Sequence, residues 1–211
     1  MNKAALTISD YLKFVDDTDR LPVNELSPIL HGLFGEVGSL MAAAKKVKRE
    51  PDAYTGFDAV VIEEFGDTFW YLCCLARRLE IDIETIFIAV VSENKSEPEI
   101  LIGSEYAPVS IVYKHEEERC FDSILIEFGQ LTGNFLNPDF IRNDPLEKLT
   151  SFLRTFFSAL SILKINFSKV IEWNIKKISS RFIMPDILSL PRFDDGFPEF
   201  ERLPDSFEIE F

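Results

Sequence analysis

Cations are what this 211-residue chain is short of: 22 Lys and Arg stand against 36 Asp and Glu, a net charge of −14. Such a chain has no basic footprint with which to displace phosphate counterions, so general nucleic-acid binding is excluded. Adhesion to an anionic membrane surface is excluded on the same ground. Histidine is nearly missing. His31 and His115 stand alone and far apart, leaving no His-based metal motif, and both read as structural or surface residues. The three cysteines, Cys73, Cys74 and Cys120, show neither zinc nor disulfide spacing and fit free thiols in a reducing cytosol. No run reaches the roughly 18 to 20 continuous apolar residues of a membrane helix. The N-terminal MNKAALTISDYLKFVDD lacks an apolar core of the signal-peptide type. A cytoplasmic protein with neither nucleic-acid nor membrane partners is expected.

Apolar bulk is what the chain has in plenty. Hydrophobic residues make up 46%, and Phe alone contributes 20. Gly is scarce at 9, so the chain reads as globular, neither disordered nor fibrous. Apolar residues at helical spacing predict a helix over 24–49, closed by Lys45, Lys46, Lys48 and Arg49 where cations suit the negative end of the helix dipole. Further helices are predicted over 57–79 and 81–91, the latter with Asp82 as a cap. A second set covers 121–135, 146–164 and 168–182, with NPDFIRNDP as a loop between its first two members. Residues 92–118 change character and read as a connector holding a short strand or two. From Pro185 the chain carries alternating Phe and acids, an extended tail lying on the body.

The two helical sets look alike. LFGEVGSL is similar to IEFGQLTG, and EEFGDTFWYLCCLARRLEIDIETIF to LTSFLRTFFSALSILKINFSKVI. An internal repeat of this kind predicts two helical hairpins that bury their apolar faces against each other. The expected fold is therefore all-α. Its four-helix-bundle-like core has two related halves, 1–91 and 119–184, joined by 92–118 and followed by the tail 185–211. Together they pack as one domain with peripheral helices, like a dimer fused into one chain.

Some acids are placed where a solvated helix face would not put them. Glu36 shares a helical row with Ile29, Leu33 and Leu40, and Glu64 and Asp67 share one with Val60, Tyr71 and Leu75. Glu63 stands beside them on another azimuth. Carboxylates pointing into a bundle repel one another unless protons or a cation intervene, and hard oxygen ligands suit Mg²⁺ or Mn²⁺. The same acids on an outward edge would simply face water. In the last helix, Asn174, Lys177 and Arg181 fall on one face, an amide and two cations suited to an oligophosphate, or equally to a solvated helix end.

These residues carry a resemblance. GLFGEVGSLMAAAKK and IEEFGDTFWYLCCLARRLEIDIETI resemble the two signature helices of the MazG-like, all-α nucleoside triphosphate pyrophosphohydrolases. The family pattern is E-x-x-E on one helix and E-x-x-D on the next, followed by Trp-Tyr-Leu, with a closing helix of the form N-x-x-K-x-x-x-R. The second motif is complete as Glu64 and Asp67, followed by Trp70, Tyr71 and Leu72. The first has Ser39 in place of its second Glu. Asn174, Lys177 and Arg181 match the closing helix, and the tail FDDGFPEFERLPDSFEIEF is similar to one found after the domain in some standalone members.

The resemblance implies Mg²⁺-dependent (or Mn²⁺-dependent) cleavage of a nucleoside triphosphate, NTP or dNTP, to the monophosphate and pyrophosphate. Glu36, Glu64 and Asp67 would be metal ligands, and Glu63 a ligand or the base for water. Lys177 and Arg181 would meet the phosphates, and Asn174 phosphate or sugar. Trp70 or Tyr71 would stack on a base or serve as core aromatics. Each half lacks what the other keeps. The first half has the acids without the Asn/Lys/Arg set. The second has that set, but only Glu127 and Gln130 at the first motif and Ser151 and Arg154 at the second. One composite site per chain is expected. The contrasting expectation is a catalytically inactive helical module that binds a nucleotide or a protein, and a homo-oligomer is compatible with either.

Overall fold

In the computed structural model the described residues are 6–93 and 120–181, and among them all regular structure is helical. The helices are α1 (Ile8–Thr18), α2 (Ser27–Arg49), α3 (Phe57–Arg78), α4 (Ile83–Glu93), α5 (Phe121–Phe135), α6 (Pro138–Arg142), α7 (Pro145–Ile162) and α8 (Phe167–Arg181). The all-α expectation is met, and the six long helices predicted from periodicity fall within a few residues of their places. The connector and the tail lie outside the described residues.

Two helices differ from the sequence expectation. The N-terminal stretch forms α1, started by a reciprocal capping box: the Thr7 hydroxyl accepts from Asp10 N–H at 3.0 Å, and Thr7 N–H donates to the Asp10 carboxylate at 3.1 Å. Its buried stripe is Ile8, Tyr11 and Val15. The segment read as the loop NPDFIRNDP contains α6, opened by Asn137, whose side chain accepts from Asp139 N–H at 3.0 Å. Each opens on a side-chain cap, and α1 adds an apolar stripe at helical spacing.

The repeat is visible in the backbone. At the end of α3, Glu80 turns left-handed (φ 56°), Glu80 N–H bonds Arg77 O at 3.1 Å and Ile81 N–H bonds Ala76 O at 2.9 Å. At the end of α7, Lys164 does the same (φ 56°), with Lys164 N–H to Ser161 O at 3.0 Å and Ile165 N–H to Leu160 O at 2.9 Å. Each is a helix-terminating turn in which one left-handed residue lets the next N–H groups reach back to orphan carbonyls. The side chains of Asp82 and Asn166 then accept from Glu84 N–H (3.0 Å) and Ser168 N–H (2.9 Å), starting α4 and α8 alike. In the register these turns set, Lys148 and Ser151 occupy the places of Glu64 and Asp67, one turn earlier than the match of Ser151 and Arg154 read from the strings. In either register the second half has no carboxylate pair there.

Helices α2, α3, α5 and α7 form the central bundle, with α2 against α3 and α5, and α7 against α5 and α3. The outer helices cross over. Helix α8, from the second half, packs chiefly along α3 of the first, and α4, from the first half, packs chiefly along α7 of the second. The halves are thus interlocked around one continuous core. Its centre is a lattice of buried phenylalanines drawn from both halves. Phe156 has its ring centroid 5.3 Å from Phe65, 5.6 Å from Phe69, 5.3 Å from Phe157 and 6.1 Å from Phe167. Phe69 and Phe167 meet edge to face at 5.0 Å. Edge contacts of this kind add to the burial of large rings. Helix α1 is clamped to the end of α3 by the Arg78–Asp19 ion pair at 2.5 Å, both side chains nearly fully buried.

Phe156→Ala should therefore remove a shared keystone of both halves. A loss of about 3 to 5 kcal/mol is expected, with one cooperative transition in urea monitored by circular dichroism. Two separate transitions would show that the halves do not share a core.

Candidate functional site

The crossing of α8 onto α3 brings together residues far apart in the chain. Helix α2 supplies Glu36, α3 supplies Glu63, Glu64 and Asp67, and α8 supplies Asn174 and Lys177. One carboxylate oxygen from each of Glu36, Glu64 and Asp67 lies within 4.8 Å of the others. Lys177 Nζ donates to Asp67 Oδ2 at 2.5 Å and is paired with Glu63 as well. Asn174 Nδ2 donates to Asp67 Oδ1 at 2.8 Å. The three helices thus bring every sequence-predicted acid and two of the three closing-helix residues into one cluster. The backbone of Arg181 continues α8, but its side chain lies outside the described residues.

Gly66 makes this contact sterically feasible. A Cβ at that position would lie 2.9 Å from Asn174 Cβ and 3.3 Å from Val170 O, so any larger residue would force α8 away from α3. On the other side, a Cβ at Gly32 of α2 would fall 2.3 Å from the ring of Tyr71, so α2 can lie close on α3 beside the acids. The other flanking aromatic, Trp70, sits edge to face with Tyr71 at 5.1 Å and donates from Nε1 to Thr18 Oγ1 at 3.2 Å. Both rings are partly exposed and both have packing partners.

Electrostatically the cluster is under tension. Burial raises the pKa of both Glu36 and Glu64, since a carboxylate loses its hydration there. Glu64 is raised to about 10, by burial first and then by the carboxyl group and charge of Glu36 beside it. Burial opposes the charge on Lys177, but Asp67 and Glu63 more than offset it and hold its pKa above the usual lysine value. Four carboxyl groups therefore face a single lysine, with burial working against the ionised form of Glu36 and Glu64. A hard divalent cation has the charge to neutralise such a cluster. Oxygens bound to one Mg²⁺ lie about 3 to 4 Å apart, given metal–oxygen distances near 2.1 Å. The donor set fits such an ion with a small inward movement.

Sequence reasoning missed Tyr11. Its hydroxyl donates to Asn174 Oδ1 at 2.8 Å, inside the protein. The signal was there in the Thr7-x-x-Asp10 capping box followed by Ile8, Tyr11 and Val15 at helical spacing, which marks α1 as packed on the body. Gly66 was read only as part of a motif, because its role depends on a helix more than a hundred residues away. In the second half, Glu127 of α5 meets a hydroxyl of α7. The Thr155 hydroxyl donates to Glu127 at 2.9 Å.

Comparison with protein-family models, with curated proteins and with solved structures finds no match to this chain. Among the described residues no helix is long and apolar enough to cross a membrane, and Cys73 and Cys74 are buried free thiols.

The raised carboxyl pKa values have a measurable consequence. A group that binds its proton more tightly when folded contributes stability that is complete at low pH and is lost as pH rises toward the folded value. For Glu64 that window runs from about 4.5 to about 10. The metal-free protein should lose thermal stability between pH 5 and 9. Glu64→Gln should flatten this decline, so that the gap in melting temperature in favour of the variant widens with pH. A gap that stays constant with pH would show that Glu64 is not held protonated.

Proposed function

We propose that the chain is a divalent-cation-dependent nucleoside triphosphate pyrophosphohydrolase of the MazG-like type, acting in the cytoplasm through one composite site per chain. The observation that carries this reading is the convergence of Glu36, Glu64 and Asp67 from the first half with Lys177 from the second. The resemblance in the two helix motifs gives the chemistry, and the excess of carboxyl groups over cations in the cluster gives it a physical basis.

Glu36, Glu64 and Asp67 would hold Mg²⁺ or Mn²⁺. That ion supplies Lewis acidity toward phosphate oxygens and water, lowering the cost of attack at phosphorus. Glu64 would serve as a ligand in its carboxylate form, giving up the proton it holds in the metal-free protein. Glu63 takes the proton of the attacking water as its oxygen bonds to the α-phosphorus. The bond from that phosphorus to the bridging oxygen breaks, and pyrophosphate leaves with the electron pair. Lys177 exchanges its carboxylate partners for phosphate oxygens, and the resemblance gives Arg181 the same role. Trp70 and Tyr71 border the acids on α3 and offer partly exposed ring surface to a base. Ser39 takes the place of a fourth carboxylate, so the site is less acidic than the family pattern and is suited to fewer ions.

Release of pyrophosphate from a panel of NTPs and dNTPs, with Mg²⁺ or Mn²⁺ and again with excess chelator, tests the reading. Wild type should act on at least one nucleotide and stop when chelated. Glu64→Gln should abolish turnover, and Lys177→Ala should lower kcat/KM by about 100-fold or more. Metal-dependent release from no nucleotide would overturn the hydrolase and leave a helical module that binds a nucleotide or a protein. Unchanged turnover in Lys177→Ala would overturn the composite site.

A further inference from the structure

Asn174 lies in the candidate site yet is shut off from solvent, with 1% of its surface exposed. An amide with so little access cannot present itself to an incoming phosphate without a large rearrangement. Both of its ends are already engaged. Its carbonyl oxygen accepts from Tyr11 O–H at 2.8 Å, and its NH₂ donates to Asp67 Oδ1 at 2.8 Å. A carboxamide has one accepting and one donating end, and a phenol that donates to one end dictates which way the other must point. With Tyr11 in place, the NH₂ faces Asp67. Were the amide flipped, a carbonyl oxygen would face a carboxylate and the phenol would face a donor, leaving buried polar groups mismatched.

We propose that Tyr11 and Asn174 are positioning residues for the metal ligand Asp67, forming a buried relay from α1 through α8 to α3; the inference rests on the metal reading above. The relay holds Oδ1 while Lys177 holds Oδ2, so the Asp67 carboxylate is fixed in rotation before any cation arrives. Hydrogen-bond partners behind a metal ligand orient it, and their loss costs about 10- to 100-fold in metal affinity. Tyr11 is suited to the task. Its ring is fully buried and stacked on Phe69 at 5.5 Å, so the hydroxyl has little freedom to leave. Burial raises the phenol pKa well above its ordinary value, so it remains a donor across the working pH range. Gly66 completes the arrangement by letting Asn174 reach Asp67 across the α3–α8 contact. The relay also gives α1, which contributes no ligand, a direct link to the site.

The test compares Mn²⁺ affinity, by titration calorimetry or electron paramagnetic resonance, in the 211-residue chain and four variants. Tyr11→Phe removes only the hydroxyl. Val15→Ala loosens α1 at a neighbouring buried position whose side chain has no hydrogen bond to offer Asn174. The double variant Tyr11→Phe/Asn174→Ala tests coupling against Asn174→Ala alone. Tyr11→Phe should weaken Mn²⁺ binding about tenfold, Val15→Ala should leave it unchanged, and adding Tyr11→Phe to Asn174→Ala should have no further effect. Equal affinity in Tyr11→Phe and wild type would overturn the relay alone, as would an equal loss in Val15→Ala, which would mark the effect as general loosening of α1. A wild type that binds no Mn²⁺ would overturn the metal reading and the relay together.

Discussion

Contact between α3 and α8 at Gly66 is the constraint on which the rest of the site depends. At this point a helix from the second half lies on a helix from the first closely enough that a single Cβ would separate them. The close approach lets a short side chain, Asn174, reach Asp67 directly, and places Lys177 between Asp67 and Glu63. If α8 were held away from α3, the acids would keep their mutual repulsion and lose their cation. The crossing helices also explain how a site can be shared between two halves that are each incomplete. Neither half closes on itself, because each lends its last helix to the other.

That contact answers an electrostatic problem set by the sequence. Four carboxyl groups brought together by α2 and α3 would destabilise the fold if all were ionised. The structure relieves the strain in two ways: a proton retained on Glu64, and a lysine delivered by α8. Both remedies are reversible, which distinguishes this cluster from an inert buried salt bridge. A divalent cation can replace the proton and release the lysine, so the groups that stabilise the metal-free fold are those that would do chemistry when it is loaded. The buried Arg78–Asp19 pair at the far end of α3 shows the contrast. It is a local tie with no unbalanced charge, and its role is to hold α1 in place.

The second half shows what remains when the chemistry is absent. It repeats the left-handed helix ending, the Asx start of the following helix and the phenylalanine packing of the first. Where the first half has Glu64 and Asp67, it has Lys148 and Ser151 in the register of the turns, and its nearby Glu127 accepts a hydrogen bond from Thr155. The repeated features are those that any such hairpin needs to fold. The ones that differ are those that cost stability and so call for a compensating function.

By itself the sequence determined the helices and the acids. Apolar spacing placed six long helices, because burial on one face imposes a 3.6-residue period that any reader of the chain can see. The same period put Glu36, Glu64 and Asp67 among apolar rows. The cap and apolar stripe of α1 and the Asn137 cap of α6 are in the sequence too but stand apart from the longer periodic runs, and string matching leaves the repeat one turn out of register, because matching strings carry less information than matching turns. Only the tertiary structure decided that α8 leaves its own half, that Gly66 is the point of closest approach, and that Tyr11 reaches Asn174. Those contacts join residues 107 to 163 positions apart, and no local periodicity encodes a partner at that distance. The partner is chosen by which two surfaces bury the most apolar area together, and that is a property of the packed whole.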